Sequence, residues 1–474
     1  MSELAYVTAS DLTAFLRCPH TIVRKRNAGK MGQRTTEDPL QTALREHGNS
    51  HEKKMIALRN WPTPGQGQTH SETHSKTFTL MREGVPGLTQ AVLHHPPLHG
   101  RPDLLRKVDG ASLLGDFHYE PGDIKSSQKA RGDQIAQVVF YALLLEHVQG
   151  RRPDHGFLIL ADGSEERFAI KDYDLAIEGA CEDLVCAMRG RSSPELHLQT
   201  VCGHCVWREA CTAEALRNDD VSLVPGVPRT YRPSLVSAGL TSVESLAETD
   251  PAEAAVRTKL PISWHNHAAL SARARMTRAP LRRDSPSQFG GHGAVAISWV
   301  TDIFDPSRRI VAVAFKELRA TGPVAQPEIL IASDHSQSRY LALRLDQLVR
   351  DAIDCCHDRT ILRCSSQNPL ELLTALGDPN VGWLEQSVDL LARCRAAWAF
   401  PGEVSSLRDV LAYLDRRVEE PLPYVLSDHD HPSLLYRAYY DVADSGARKR
   451  LSQWLQSELA MALQVFERLS DASL

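Results

Sequence analysis

With 474 residues, the chain is too long for a single hydrophobic core, so two or three domains are expected. Its content of 42% apolar and 24% charged residues is typical of a soluble globular protein. No apolar run approaches the ~18 residues of a membrane span, and the N-terminus lacks a signal-peptide pattern, so we expect a cytoplasmic protein with no membrane partner. The net charge of −5 argues against a nucleic-acid-binding surface over the whole protein, although a local basic groove is compatible with it.

The first predicted elements mix helices and strands. Residues 10–17 begin with Ser10 as the expected cap and place apolar side chains at helical spacing, and residues 38–60 are helical again. The polar stretch 61–76 contains proline and glycine and predicts an exposed loop. Short strand-like runs follow at residues 88–95, 102–109, 112–120 and 122–126.

The next segments complete an α/β core. A strongly apolar helix is expected over residues 133–149, and a hairpin over 155–170 turns at Asp162-Gly163. A helix over about 172–189 then leads to a group of cysteines. We place this first domain at residues 1–218.

Residues 219–284 form a different, helical segment. Glycines at 226 and 239 separate short helix-like stretches, which is typical of a helix–hairpin–helix element whose turn amides can contact a phosphate. A plain helical linker predicts the same pattern. The segment ends in a basic stretch with Arg273, Arg275, Arg278, Arg282 and Arg283.

The stretch SPSQFGGHG, residues 285–293, is the clearest boundary in the chain. Beyond it, three strand-like runs precede long helical segments and a helical C-terminus at 433–469. Residues 285–474 are therefore expected to form a second α/β domain.

Two charged residues flank one apolar residue at the end of the fourth strand-like run. Asp123 and Lys125 are two positions apart, so a strand places both side chains on one face. A surface ion pair would explain them without any function. A hydrolytic site for Mg²⁺ or Mn²⁺ would also explain them if further ligands were near.

Further ligands occur upstream. Asp103 begins another strand and supplies a second carboxylate, and the backbone carbonyl of Ile124 supplies another oxygen. His51, on a predicted helix, could add an imidazole, which suits Mn²⁺ better than Ca²⁺. Lys125 would orient the attacking water.

The order His51, Asp103, Asp123-Ile124-Lys125 and then Gln137 with Tyr141 resembles the RecB-like branch of the PD-(D/E)xK nuclease superfamily. The resemblance implies a restriction-endonuclease-like core and hydrolysis of phosphodiester bonds with Mg²⁺ or Mn²⁺. His51, Asp103, Asp123 and the Ile124 carbonyl would be the metal ligands. The i, i+4 pair Gln137 and Tyr141 lies on one helix face and would hold the substrate backbone.

Four of the ten cysteines extend the resemblance. Cys202, Cys205 and Cys211 form a C-x2-C-x5-C pattern, and Cys18 lies far upstream. The four-cysteine members of this nuclease branch, among them CRISPR-associated exonucleases, place one cysteine before the core and three after it and bind a 4Fe–4S cluster. Four thiolates also satisfy Zn²⁺, so a structural zinc site stays open.

The whole chain is similar to bacterial RecB-like nucleases that carry a C-terminal ribonuclease H-like exonuclease domain. Asp389-Leu390 matches the Asp-Leu element of that domain. The other acids do not carry over, because Asp302 and Asp305 lie late in the first strand and only Glu458 remains near the end. A two-metal exonuclease site needs about four carboxylates, so we expect a catalytically degenerate domain.

Two functions from different classes compete. The first is a metal-dependent DNA nuclease that acts on single strands or ends, with a helicase or another repair or defence protein as partner. The second is a non-catalytic nucleic-acid-binding or scaffold protein with a structural zinc or iron–sulfur site. The intact Asp103, Asp123 and Lys125 set favours the nuclease. A third function, electron transfer by a redox protein, is not supported, because the sequence contains no flavin or nicotinamide motif.

Overall fold

A computed structural model describes residues 6–27, 38–65, 69–283, 293–318, 326–356, 359–364, 367–415 and 431–470. The chain folds into two compact units, one made of Met1–Thr35 and Gln41–Leu196 and the other of Thr36–Leu40 and His197–Leu474. Both units are mixed α/β, in agreement with the expected class. The first unit ends at Leu196, before the cysteine-rich stretch, whereas the sequence predicts that this stretch belongs to a first domain of residues 1–218. The expected boundary at 285–293 lies almost wholly outside the described residues.

The first unit alternates helices and strands along the chain. Its elements are β1 (Val7–Thr8), α1 (Ala9–Arg17), α2 (His20–Arg26), α3 (Pro39–Ala57, whose first two residues belong to the second unit), α4 (His70–Arg82), β2 (Gly87–Thr89), β3 (Leu93–His95), β4 (Leu98–Gly100), β5 (Leu104–Ser112), β6 (Gly115–Ile124), α5 (Gly132–Gln149), β7 (His155–Ile159), β8 (Glu165–Ala169) and α6 (Asp174–Met188).

A five-stranded sheet with the order β2-β5-β6-β7-β8 forms the centre of this unit. Only β6 and β7 run parallel, and α5 connects them, as a parallel pair requires a crossover. Helix α5 packs against β6 and β7 and also contacts α1 and α6, so it is buried on most sides. That position explains why its sequence is apolar around nearly the whole helix.

Three local predictions differ from the structure. Thr8 rather than Ser10 caps α1, because Thr8 and Asp11 form a reciprocal capping box. The stretch 61–76 is not all loop, since Thr69 and Glu72 form a second capping box and begin α4. The runs 112–120 and 122–126 are not separate strands, since residues 115–124 form one strand, β6, in which Pro121 stays in register opposite Leu105.

The second unit begins with helices and continues as a sheet. Its elements are α7 (Arg208–Arg217), α8 (Arg232–Ser237), α9 (Val243–Glu248), α10 (Pro251–Thr258), α11 (Ile262–Thr277), β9 (Leu281–Arg282), β10 (Gly293–Thr301), β11 (Ile310–Leu318), β12 (Glu328–Ile331), α12 (Ser338–Cys355), β13 (Arg359–Arg363), α13 (Pro369–Leu376), α14 (Gly382–Gln386), β14 (Val388–Asp389), α15 (Leu390–Ala397), β15 (Trp398–Ala399), α16 (Leu407–Leu414), α17 (Pro432–Val442) and α18 (Ser445–Ser470).

The short helices α8 and α9 are joined through Gly239, whose positive φ of 71° closes the turn. Helix α9 packs on α11, and Leu235, Leu240 and Leu246 are buried. This segment is therefore a packed helical layer, although phosphate binding by its turns stays a prediction.

The sheet of the second unit has the order β12-β11-β10-β13-β14. Strand β10 is antiparallel to β11 and parallel to β13, and β13 is parallel to β14. Helices α12 and α18 both pack against this sheet and bury one continuous apolar core. None of the helices in the described ranges is long and apolar enough to span a membrane.

Candidate active site

Strands β5 and β6 bring the two predicted aspartates together at one end of the first unit's sheet. Leu104 faces Gly122 in the antiparallel register, so Asp103 and Asp123 stand at the same end of the two strands. The backbone N–H of Ile124 donates to Asp103 Oδ2 at 2.9 Å. Both aspartates are buried, at 8% and 3% exposure, although their charge would favour the surface.

Alternation along β6 separates the charged residues from the apolar one. Ile124 packs with Leu104, Phe157 and Ile159 in a small core cluster. A strand residue directs its N–H and its C=O to the same side of the strand. Because the Ile124 N–H reaches Asp103, the Ile124 carbonyl also faces the Asp103 side, as a carbonyl ligand at that place would require.

Lys125 lies just beyond the strand and pairs with Asp123. Its Nζ is 2.6 Å from Asp123 Oδ2, and its side chain is 21% exposed. The N–H of Lys125 donates to the carbonyl of Ile159, which fixes the backbone at the end of β6. The predicted Asp103, Asp123 and Lys125 set is thus assembled in one place.

Two residues that the sequence analysis missed join this set. Gln90 Nε2 donates to Asp103 Oδ1 at 3.0 Å and to Glu52 Oε1 at 2.7 Å. The N–H of Gln90 also donates to the Asp103 carbonyl, and Gln90 has a positive φ of 53°. Gln90 therefore connects a carboxylate on α3 to one at the start of β5.

The electrostatics follow from three carboxylates around one ammonium. Burial raises the pKa of Asp103 well above its usual range, and the charge of Asp123, a hydrogen bond to it and the charge of Glu52 raise that pKa further. Burial alone would lower the pKa of Lys125, but Asp123, Asp103 and Glu52 together raise it. Lys125 is consequently a cation at neutral pH and cannot serve as a base.

Tyr141 of α5 faces the same group of charges. Its pKa is raised by burial first and then by Asp123, Asp103 and Glu52, so the phenol is neutral and lies near the carboxylates. Gln137 lies one helical turn earlier and is half-buried. Its predicted role in substrate binding remains a prediction.

His51 precedes Glu52 on α3 and has one ring nitrogen bonded to the backbone. Its Nε2 is buried and finds no hydrogen-bond partner among the residues that the structure describes, whereas a hydrogen bond joins the imidazole to the backbone of Leu160. Burial lowers the pKa of His51, so the ring is neutral. A neutral imidazole with one nitrogen tied to the backbone and the other unpaired fits the pattern of a histidine metal ligand.

Throughout the described ranges, no three His, Cys, Asp or Glu side chains are arranged so that they could coordinate one metal ion together. These donors nevertheless suit a hard divalent cation, since Asp103, Asp123 and the Ile124 carbonyl all offer oxygen atoms as ligands. A cation here would also neutralise the repulsion that raises the pKa of Asp103.

The predicted cysteine ligands divide between the units. Cys18 ends α1 in the first unit, and Cys202, Cys205 and Cys211 belong to the second. The Cys205 N–H donates to the Cys202 carbonyl at 3.1 Å, and the Trp207 N–H reaches Cys205 Sγ at 3.5 Å. The C-x2-C stretch is therefore a tight turn with an amide directed at one sulfur.

The acids of the second unit already have structural partners. Asp302 is fully buried, and it pairs with Arg437 Nη2 at 2.8 Å and with His335 Nε2 at 3.0 Å. Asp389 accepts the Ala392 N–H at 2.9 Å and caps α15. Glu458 is buried on α18. These contacts give Asp302 and Asp389 roles in folding.

Comparison with known proteins adds no assignment. No protein-family model matches the chain, and no curated protein matches it.

Proposed function

We propose that the first unit is a metal-dependent DNA nuclease that hydrolyses phosphodiester bonds. The observation that carries this proposal is the buried pair Asp103 and Asp123 with the Lys125 ammonium beside it. Buried carboxylates that repel each other are costly to folding, so their retention at one strand end favours a function. A structural ion pair would need only one of the two acids.

Asp103, Asp123 and the Ile124 carbonyl would hold Mg²⁺ or Mn²⁺, with His51 as a further ligand from α3. The ion would supply positive charge to the phosphate and lower the pKa of a water molecule. Lys125 would orient that water or stabilise the charge that develops on the phosphate, because its raised pKa keeps it protonated. Gln137 and Tyr141 would contact the DNA backbone.

The topology around these residues also supports the proposal. The order of β2, β5, β6, α5 and β7, with one parallel pair, agrees with a restriction-endonuclease-like core. In the second unit, the strand order β12-β11-β10-β13-β14 agrees with a ribonuclease H-like sheet. The partners of Asp302 and Asp389 favour a non-catalytic role for that sheet.

The four cysteines would bind a 4Fe–4S cluster, with Zn²⁺ as the alternative. The support within the second unit is the C-x2-C turn and the amide directed at Cys205 Sγ, since hydrogen bonds to sulfur tune such centres. The proposed partners are DNA, with single strands or ends favoured, and a helicase or another repair or defence protein in the cytoplasm.

Cleavage of end-labelled single- and double-stranded DNA tests the proposal, with Mg²⁺, Mn²⁺ or EDTA and protein purified with and without oxygen. Asp123→Asn keeps the side-chain volume but removes a metal ligand, so it should abolish cleavage. Asp116→Asn makes the same change at an exposed position of β6 and is the matched control. Equal cleavage by the two variants would overturn the nuclease assignment and favour the non-catalytic binding protein.

A further inference from the structure

A cavity of about 180 Å³ lies within the second unit, and none of the acids described above is among its lining residues. Its lining includes two arginines, two aromatic residues, one carboxylate and a glycine with a positive φ. These residues are Gly226, Arg283, Arg395, Trp398, Phe400 and Glu403. Gly226 and Arg283 are far apart in the sequence, and the fold brings both to the cavity.

Arg283 is a cation for which the described residues offer no counter-charge. Among these residues its Nε is buried without a hydrogen-bond partner, and burial lowers the pKa of this guanidinium. The Arg283 N–H donates to the Ala397 carbonyl, so its backbone is fixed beside β15. A half-buried cation without an acid is costly, and an anionic ligand would remove that cost.

The second arginine is already compensated. Arg395 Nε donates to the Val404 carbonyl at 2.9 Å. Burial raises the pKa of Glu403, and the charge of Arg395 lowers it, so these two groups act on each other. The positive charge of the cavity that remains unmatched among the described residues is therefore that of Arg283.

The rest of the lining suits a flat ring. Trp398 and Phe400 offer aromatic rings, on which any of the nucleic-acid bases can stack. Glu403 offers an acceptor of the kind that pairs with the amino group of cytosine. The volume lies below the ~300 Å³ that is usual for pockets of drug-sized ligands, so the cavity encloses about one ring, with the rest of a small ligand at its opening, and not a strand.

We propose that this cavity binds a single nucleotide, with its phosphate at Arg283, its base against Trp398 and Phe400, and an amino group of the base at Glu403. This site goes beyond the proposed nuclease activity, since it uses the second unit alone and needs no metal. Gly226, with a positive φ of 81°, lets the backbone come close to the ligand without a side chain in the way.

Isothermal titration calorimetry of the full-length protein in EDTA tests the site with deoxycytidine monophosphate, deoxycytidine and inorganic phosphate. The nucleotide should bind at least about ten-fold more tightly than either part alone, because each part uses half of the cavity. Arg283→Ala should weaken nucleotide binding by about ten-fold or more, as expected for a charge-assisted hydrogen bond. Arg283→Lys should retain part of the affinity.

Arg282→Ala is the matched control, because the neighbouring strand position is exposed and points to the opposite face. It removes the same charge and should leave binding unchanged. Circular dichroism establishes that each variant is folded, and Arg283→Gln replaces Arg283→Ala if the latter is not. Wild-type affinity in a folded Arg283 variant without the charge would overturn the site, as would inorganic phosphate binding as tightly as the nucleotide. Loss of DNA cleavage by Asp123→Asn bears on neither result.

Discussion

Lys125→Ala should destabilise the first unit at neutral pH, because it leaves Asp103, Asp123 and Glu52 without their shared ammonium. The Lys125 and Asp123 side chains are 21% and 5% exposed, so water screens the pair only slightly. Removal of one partner from a buried pair costs about 3–5 kcal/mol, and the partial exposure of Lys125 places this case near 3 kcal/mol. The loss is large against a marginal stability of about 5–15 kcal/mol for a domain.

Hydrogen–deuterium exchange on the full-length protein measures this effect within one unit. Amides of β6 and α5 should exchange about 150-fold faster in Lys125→Ala than in the wild type at pH 7, since 1.4 kcal/mol is a factor of ten. Lys129→Ala is the control, because it removes the same charge at an exposed position four residues later. Its exchange rates should match those of the wild type.

The pH dependence distinguishes lost charge from lost packing. Burial and then the charge of Asp123 raise the folded-state pKa of Asp103, so at a pH between the unfolded and folded values the folded protein holds a proton that the unfolded chain has released. For such an acid, the penalty grows as the pH rises above the unfolded value and disappears as the pH falls back toward it. The difference between Lys125→Ala and wild type should therefore shrink between pH 7 and pH 4, and Mn²⁺ should shrink it at pH 7. A difference that is constant with pH and indifferent to Mn²⁺ would refute the electrostatic reasoning.

Three further outcomes are expected. Asp103→Asn should abolish cleavage. It should also flatten the pH dependence of the free energy of unfolding between pH 4 and 7, measured by hydrogen exchange of β5 amides, because the titrating group is gone. An unchanged pH dependence would contradict its assignment to Asp103. Glu458→Gln should leave the cleavage rate on labelled DNA unchanged, since the second unit is expected to be non-catalytic; a slower rate would show that its acids act. Cys18→Ser should reduce both the content of bound iron or zinc, measured by elemental analysis, and the melting temperature. Cys355 is exposed, and Cys355→Ser should change neither quantity. Equal metal content in the two variants would exclude Cys18 as a ligand.

Local chemistry determined much of the fold in advance. The strongly apolar run at 133–149 predicted α5, and the Asp162-Gly163 turn predicted the hairpin of β7 and β8, because each signal is local in the sequence. The three strand runs after residue 293 are β10, β11 and β12. Capping was predicted less well, since Ser10 and Thr8 are both good caps and only the hydrogen bond to Asp11 selects Thr8.

The candidate site shows the same division. Asp123 and Lys125 could be predicted to share a face because strand alternation is a local rule. Asp103 could be predicted as the second carboxylate of the site because it stands at the start of another strand. Glu52 had one weak signal, its position beside His51. Gln90 had no signal in the sequence, because its role consists of contacts to Glu52, 38 positions before it, and to Asp103, 13 positions after it. Burial, the pKa of Asp103 and the unmatched charge of Arg283 depend on which distant segments pack together, so only the tertiary structure decided them.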